Sequence, residues 1–429
     1  MPIKLIVRTV VFTSGERFPF LLDRSTGVPL FEPTLFALTQ LRARGRASNT
    51  LKQAMRSILV LMQVLDALSI DLDGRLRANR FLELGEIEEI GRMCRLRADS
   101  LDPDGYKVFD EACHVPKVVR LERSRVRLPL QTEITEVSPE TTGIRLHYII
   151  SYLRWLSNKH LLAKDTRNPE FPFFQSVVNG GISALAARVP SKGSRNTVEK
   201  RMGLTKESLI QLQSVIEPSS PDNPWKNEHI RYRNRVLIYW MLSLGLRRGE
   251  ALNVQVSDIN SRTFEVMIAR RADDPLDSRK DQPVVKTLDR LLQMTDSLAN
   301  LTMEYTSKFR RQIRGAQSHP FLFVSTGTGK PLSLPSVNAI FNQLRTKCPD
   351  LPDELTAHVL RHTWNELFSE SADKAGLSDE QEQKARSYQM GWREGGRSAA
   401  DYTRRGIKRK SQEISAEMQA GLLKANYSK

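Results

Sequence analysis

The chain has 429 residues, enough for two domains that each bury a core, and its 40% hydrophobic and 27% charged residues are ordinary for a globular protein. Its 65 Lys and Arg outnumber 49 Asp and Glu, so the formal net charge is +16, which indicates a polyanionic partner, nucleic acid first and an anionic membrane second. The longest apolar run, residues 236–246, is closed by arginines and is too short to cross a bilayer, which argues against a membrane-spanning protein.

The cysteines and the first residues predict a cytoplasmic protein. The cysteines are three, and Cys94, Cys113 and Cys348 are scattered, which fits a reduced compartment and argues against a Cys-rich zinc site. Lys4 and Arg8 interrupt the apolar residues at the start, so no secretory segment is expected.

The amino-terminal part is predicted to be a β-rich segment, residues 1–31, followed by a helical domain, residues 32–165. Residues 3–12 are rich in β-branched side chains, and a turn separates them from residues 18–22, which predicts a hairpin. Further along, apolar side chains recur at spacings of three and four, as is typical of amphipathic helices, and a long helix is predicted to begin near Glu140.

Residues 166–203 are predicted to form a basic interdomain linker. Prolines and glycines, among them Pro169, Pro172, Gly180 and Gly181, interrupt any regular element there, and lysines and arginines add positive charge. A basic linker can lie along nucleic acid, although many linkers are polar for solubility alone.

Residues 204–405 are predicted to form a mixed α/β domain, and residues 406–429 a charged tail. A buried helix is predicted to end at Gly245, and Arg247 follows at once, so the helix end would hold its guanidinium rigidly. Glu250 lies where it can orient that guanidinium. The fold class predicted for the whole chain is therefore mainly α with a small β-sheet (α+β).

A strand over residues 263–268 is predicted to be followed by a polar loop and then by a returning strand, or its edge, over residues 283–287. The returning segment carries Lys286. The loop, residues 270–282, looks like an insertion, and it makes Lys280 a rival for any role given to Lys286.

The segment 356–364 is the strongest candidate for chemistry. His358 and Arg361, three residues apart, project from one face of a helix. A fixed cation beside an imidazole suits phosphate chemistry, since one group neutralises charge and the other moves a proton. The pair is also common on an ordinary solvated helix face. His358 and His362 have the spacing of zinc ligands, but Val359 stands where a metalloprotease has Glu, which argues against metal.

Five features follow one another in a particular order: Gly-Leu-Arg ahead of a glutamate, a hairpin lysine, a His-x-x-Arg motif, a Gly-Trp pair and a downstream tyrosine. In this order the chain resembles the tyrosine recombinase (phage integrase) family. The resemblance covers about residues 203–405 and extends weakly to the helical amino-terminal half, which looks like the family's core-binding domain. It implies six catalytic residues: Arg247, Lys286, His358, Arg361, Trp392 and Tyr402.

The resemblance implies that Tyr402 attacks a scissile phosphodiester and leaves a 3′-phosphotyrosyl link and a free 5′-hydroxyl. Arg247 and Arg361 would clamp the non-bridging oxygens, because guanidinium offers bidentate donors to phosphate. His358 would assist proton transfer from Tyr402, and Lys286 would protonate the leaving oxygen. No metal and no nucleotide cofactor is implied, because the arginines supply the positive charge and the covalent link conserves the energy of the broken bond.

The sequence departs from the family pattern in three places. Trp392 stands where a second histidine is usual, and its indole N–H can donate a hydrogen bond to phosphate. The interval from Trp392 to the tyrosine is a residue longer than is common. The segment before the hairpin lysine is also long, which leaves Lys280 as the alternative to Lys286. Arg248 is a lesser rival of its neighbour Arg247.

The family assembles as a tetramer on two DNA sites, so the resemblance implies double-stranded DNA and a homotetramer as partners, no membrane, and a cytoplasmic protein that joins the bacterial nucleoid when bound to DNA. It leaves accessory proteins open. In the tail, Ile414, Met418 and Leu422 recur at a spacing of four. They suit docking on a neighbouring protomer and, equally, a solvated helix face.

Three other functions fit parts of the pattern. A DNA-binding relative that no longer cuts would share the fold, and a type IB topoisomerase would share the chemistry but relax DNA as a monomer. A metal-dependent hydrolase would use His358 and His362 and would lose activity in EDTA. The joint presence of Tyr402 and two arginines favours the recombinase.

Overall fold

A computed structural model of the chain describes residues 4–97, 136–162, 167, 170–191, 203–283, 285, 287–396, 399, 402, 411 and 414–419. The chain divides into two compact units, one made of Met1–Phe12 and Arg17–Asn196 and the other of Thr13–Glu16 and Thr197–Lys429. Each unit has its own apolar core. The fold is mainly helical with small antiparallel sheets, which confirms the predicted fold class. In the described ranges, no helix combines the length and apolar character that crossing a membrane requires.

The first unit begins with the predicted hairpin. Strand β1 (Leu5–Val11) pairs antiparallel with β2 (Arg17–Asp23). The helices described in this unit are α1 (Phe31–Phe36), which continues as a π-helical turn over Ala37–Arg42, α2 (Ser48–Ala67), α3 (Leu72–Arg77), α4 (Leu84–Met93), α5 (Pro139–Leu162) and α6 (Glu170–Ala186). Helix α2 packs against β2 and α5, and α5 packs against α6.

The expectation that prolines and glycines interrupt any regular element in residues 166–203 was wrong for the middle of that segment, which forms α6. Pro172 lies in the first turn of this helix, where proline is tolerated. Gly181 permits close packing, because a Cβ there would lie 2.4 Å from the Phe81 ring. Side chains at helical spacing form the buried face of α6: Phe174, Val178, Ile182 and Leu185.

The second unit is built around one buried helix. Its described elements are α7 (Lys206–Val215), α8 (Glu228–Ser243), α9 (Arg248–Asn253), β3 (Ile259–Asn260), β4 (Glu265–Ile268), β5 (Arg290–Gln293), α10 (Asp296–Glu304), α11 (Leu334–Lys347), α12 (Ala357–Lys374) and α13 (Asp379–Met390). Helix α8 packs against α10 and α12, and its Trp240 Nε1 donates to Thr302 Oγ1 at 2.8 Å. The three strands form one antiparallel sheet in the order β3-β4-β5.

The returning strand lies later in the chain than the sequence predicts. Pro283, Val285 and Thr287 lie outside any strand, and β5 is the segment that pairs with β4. Strand β5 alternates buried and exposed residues, but one of its buried positions is Arg290. A charged residue at a buried position hides the period of two that identifies a strand. The prediction for Lys286 concerns a residue outside the described ones.

Candidate active site

The turn between α8 and α9 fixes the first arginine. Gly245 has φ +62°, and a Cβ there would lie 2.5 Å from Met390 Cε and 2.8 Å from the Trp364 ring, so glycine is required. The Gly245 carbonyl accepts a hydrogen bond from Arg361 Nη1 at 2.5 Å. Arg247 follows as the residue that precedes α9. The predicted helix end is thereby confirmed.

Glu250 is a buried carboxylate shared by three arginines. Its Oε1 accepts from Arg247 Nη1 at 3.1 Å and from Thr287 Oγ1 at 2.9 Å, and its Oε2 accepts from Arg290 Nη2 at 3.0 Å. Arg361 Nη1 lies 3.6 Å from Oε2. Burial raises the pKa of Glu250, but Arg290, Arg361 and Arg247 outweigh burial and hold that pKa below its ordinary value. The carboxylate therefore stays charged and orients Arg247, as the sequence predicts.

Arg290 is a residue of this cluster that the sequence analysis missed. It is 4% exposed, and its Nε donates to the Gln389 carbonyl at 2.8 Å, which ties β5 to the end of α13. Gly391, at φ +63°, ends that helix, and a Cβ there would lie 2.8 Å from Arg290 Nη1. The Gly391 carbonyl also accepts from the Leu288 amide at 2.9 Å. These contacts fix the start of the segment that carries Trp392.

Helix α12 begins where the sequence predicts and carries His358, Arg361 and His362. The Thr356 side chain caps it by accepting a hydrogen bond from a first-turn amide at 3.3 Å. Arg361 is 2% exposed, and burial first, then the neighbouring Arg247, lower its pKa to about 9. At neutral pH the guanidinium is still a cation, held where water does not screen it.

Two buried donors of this cluster have no hydrogen-bond partner among the described residues, Arg361 Nη2 and Trp392 Nε1. The Arg361 Cζ lies 5.4 Å from the centre of the Trp392 ring, so the two donors belong to neighbouring groups. A buried donor left without a partner costs about 1–3 kcal/mol. The pair is therefore suited to an acceptor that the described residues do not supply, and phosphate oxygens accept from both kinds of donor.

Tyr402 reaches the same cluster from 40 residues beyond His362. Its Oη lies 2.8 Å from His362 Nδ1, and its ring stacks on Trp392 with centroids 5.7 Å apart and planes 12° apart. The Arg386 Cζ lies 5.7 Å from the centre of the same ring. The tyrosine oxygen is thus held beside an imidazole and close to buried cations.

The histidine that meets Tyr402 is His362, whereas the sequence analysis gave the proton transfer to His358. The His358 ring packs edge-on against His362 with centroids 4.4 Å apart. His358 is exposed, and His362 is 6% exposed. The signal was available, because residues four apart share a helix face, but the sequence analysis considered His362 only as a metal ligand.

A third buried arginine, Arg386 on α13, lies against the ring of Tyr402. It donates to the Asn365 carbonyl at 3.0 Å and to Ser369 Oγ at 2.7 Å, and it pairs with Glu382. Burial, the largest effect, lowers the pKa of Arg386. These bonds join α12 to α13 and fix a cation near the Tyr402 ring, where cation–π attraction operates.

The structure brings together four of the six predicted catalytic residues, with Arg247 joined through Glu250, and it adds His358 through its contact with His362. Lys286 lies outside the described residues. Of the rivals, Lys280 is exposed, and Arg248 is exposed and bonded to Asn338. Across the described ranges, His, Cys, Asp and Glu side chains form no group of three or more placed to hold a metal ion. Arg361 lies by the Trp392 ring, which stacks on Tyr402, and the carboxylate of Glu250 joins Arg247 to Arg361.

Comparison with known proteins adds the family. Residues 208–378 match the Phage integrase family. This match covers less than half of the chain, and it includes Arg247, His358 and Arg361. The chain is also 28% identical over 165 residues to the tyrosine recombinase XerH of Campylobacter jejuni subsp. jejuni serotype O:2 (strain ATCC 700819 / NCTC 11168). That match covers 38% of this chain and 40% of the relative, so the chain spans well under half of the relative's length.

The search of solved structures returned integrases and recombinases bound to DNA, three of which are described next. The Tn1549 transposon integrase with circular intermediate DNA has a TM-score of 0.45 and 15% identity, over 89% of this chain and 99% of that chain. A lambda integrase tetramer bound to a Holliday junction has a TM-score of 0.43 and 14% identity, over 92% and 94%. XerH on a palindromic difH substrate, a post-cleavage complex, has a TM-score of 0.39 and 13% identity, over 79% and 85%.

Proposed function

We propose that the protein is a site-specific DNA recombinase or integrase that cleaves and rejoins strands through a 3′-phosphotyrosyl intermediate. One observation carries the proposal: Arg361 and Trp392 are neighbours, each has a buried donor without a partner among the described residues, and the Trp392 ring stacks on Tyr402. A DNA phosphodiester supplies both the acceptor that those donors lack and the phosphorus that a tyrosine oxygen attacks.

In this proposal, the scissile phosphate binds to Arg361 and Arg247. The negative charge offsets the burial that depresses the pKa of Arg361, and it stabilises the crowded cations around Glu250. Trp392 Nε1 donates to one of the same non-bridging oxygens that the arginines bind. Arg361 Nη2 and Trp392 Nε1, which have no partner among the described residues, are shielded from solvent in the free chain. The proposal therefore requires that a side chain covering them moves aside when the phosphate enters.

The strand is cut when Tyr402 Oη forms a bond to phosphorus and the bond from phosphorus to the 5′-oxygen breaks. Lys286 gives the leaving 5′-oxygen its proton, with Lys280 as the alternative donor. The tyrosine proton passes to the histidine pair of α12, His358 and His362. A 5′-hydroxyl from a second strand reverses the step. The chemistry is proposed to need neither a metal nor ATP, because the arginines carry the positive charge.

The remaining parts of the chain are assigned by proposal as well. Residues 32–165 form the core-binding domain, 166–203 the segment that leads to the catalytic domain at 204–405, and 406–429 a docking tail. The net charge of +16 suits a protein that surrounds double-stranded DNA, and a homotetramer on two sites is proposed to act in the cytoplasm. In the tail, Ile414 and Met418 are 65% and 61% exposed, which suits docking, and Leu422 lies outside the described residues.

Covalent trapping tests the proposal. Nicked duplexes are selected from a randomised pool by incubation with wild-type protein in EDTA and separated on denaturing gels. A protein–DNA adduct is expected, since a strand end released at the nick leaves the tyrosine linked to DNA. Relaxation of a supercoiled plasmid that carries none of the selected sequences would instead favour a type IB topoisomerase. Tight binding with no adduct from any duplex would contradict strand cleavage.

A further inference from the structure

We propose that His362, rather than His358, is the catalytic residue that accepts the phenolic proton of Tyr402. The inference rests on the proposed function, since it names the base for the same cleavage step. It starts from the 2.8 Å contact between Tyr402 Oη and His362 Nδ1. That distance is already within the range in which a proton moves along a hydrogen bond.

The position of the imidazole is set by its surroundings. His362 lies on α12 one residue beyond the phosphate-facing Arg361, and it is 6% exposed. The edge-on ring of His358 packs against it, and the Tyr402 ring lies on another side with centroids 5.6 Å apart. A buried imidazole fixed by rings in this way keeps Nδ1 directed at one oxygen.

The charges near Tyr402 and His362 favour transfer of the phenolic proton away from the tyrosine. Arg386 lies 5.7 Å from the Tyr402 ring, and Arg361 lies 5.4 Å from the Trp392 ring on which that tyrosine stacks. Both cations stabilise negative charge that develops on the phenolic oxygen. His362 holds the proton until the reverse step returns it.

The step balances as follows. The Tyr402 Oη–H bond breaks as Oη bonds to phosphorus, and the proton goes to His362 Nδ1 with the electron pair left on oxygen. The bond between phosphorus and the 5′-oxygen breaks, and that oxygen takes its proton from the general acid, Lys286 in the proposal above. On rejoining, a 5′-hydroxyl gives its proton back to Lys286 as its oxygen bonds to phosphorus. The bond between phosphorus and Tyr402 Oη breaks, and His362 returns its proton to that oxygen.

The exposed ring of His358 has a different part in this account. It packs against His362 and limits how that ring rotates, so it is a positioning residue. Loss of His358 is therefore expected to weaken the reaction less than loss of His362. The competing explanation is that the contact between His362 and Tyr402 only holds the tyrosine in place before DNA binds.

The test compares His362→Asn and His362→Ala with His358→Asn on the duplex that traps wild-type protein. The rate of adduct formation is measured at saturating DNA, with equal binding checked by gel shift and folding by thermal melting. His362→Asn is expected to lose about 100-fold or more in rate, in line with removal of a general base, and His358→Asn about 10-fold or less. Added imidazole is expected to restore part of the rate of His362→Ala.

A second substrate separates the base from the acid. Sulfur replaces the bridging 5′-oxygen at the mapped phosphate, and a thiolate leaves without being protonated, because its pKa is far below that of an alcohol. Variants of the general acid are rescued by that sulfur, whereas His362→Asn is expected to stay about as slow as before. Lys286→Ala serves as the control that sulfur should rescue.

Three results would overturn the inference. Sulfur rescue of His362→Asn would place this histidine on the leaving-group side. If His362→Asn forms the adduct at least as fast as wild type, the contact between His362 and Tyr402 only holds the tyrosine in place. The proton acceptor would be His358 if two results were found together. His358→Asn would form the adduct more slowly than His362→Asn, and imidazole would restore the rate of His358→Ala. If wild-type protein forms no adduct at all, the proposed function fails first, and the inference fails with it.

Discussion

The substitution Glu250→Gln removes one buried negative charge. It should lower the free energy of unfolding of the second unit more than the loss of any exposed charge does. The side chains of Glu250, Arg290 and Arg361 are 1%, 1% and 2% exposed, and the carboxylate is the anion that faces both arginines. Breaking a buried ion pair by removal of one partner costs about 3–5 kcal/mol, because the remaining charge is left uncompensated. Glutamine keeps the shape and one acceptor, but its NH2 group is a donor that faces other donors, so the loss combines the charge with the hydrogen bonds of one oxygen.

The assay is unfolding in urea at neutral pH, followed by tryptophan fluorescence. A loss of about 3–5 kcal/mol is a large part of the 5–15 kcal/mol that stabilises a typical domain. The matched control is Glu304→Gln, since Glu304 pairs with Lys308 across one helical turn and these side chains are 37% and 69% exposed. That exposed pair should contribute only about 0.3–0.5 kcal/mol. A Glu250→Gln loss no larger than the control loss would refute the reasoning.

Three further outcomes follow from the same contacts. Gly245→Ala should lower the free energy of unfolding in urea by about 1–3 kcal/mol, because the added Cβ clashes and the backbone has a positive φ. Gly376→Ala, at a positive φ of +70° but in open space, should lower it by about 1 kcal/mol. Equal losses in the two variants would contradict the clash. Arg386→Met should slow adduct formation at least about 10-fold and leave DNA affinity unchanged. An unaltered rate would show that this cation does not promote the reaction of Tyr402. Burial raises the pKa of Glu250, but neighbouring arginines outweigh it and hold that pKa below its ordinary value of 4.5. The contribution of Glu250 to the free energy of unfolding is therefore complete above that pH and is lost as pH falls through the lower folded pKa. Urea unfolding between about pH 3 and 6 should show this loss of stability in wild type, and Glu250→Gln should lack it.

The helix that carries His358 and Arg361 was predictable, because its apolar period and its Thr356 cap are local features. The glycine that ends α8 was predictable for the same reason. The amino-terminal hairpin followed from a strand rich in β-branched residues, a turn and a second apolar segment. In each case, the information lies within a few residues of the element.

Contacts between distant segments were not predictable. Arg290 looks like an exposed charge until α13 and Glu250 close over it. Gly181 looks like a helix breaker until Phe81, a hundred residues earlier, is seen against it. The choice between His358 and His362 depends on where a tyrosine 40 residues downstream returns, which no local period encodes.

The identity of the residue that carries DNA tests the central claim most directly. Wild-type protein is trapped on the selected nicked duplex, digested with protease and analysed by mass spectrometry, with Tyr402→Phe as the matched control. The account predicts a single DNA-linked peptide that contains Tyr402, joined to a 3′-phosphate, and no adduct from Tyr402→Phe. A nucleotide on another residue, a link to a 5′-phosphate, or an adduct that persists in Tyr402→Phe would contradict it.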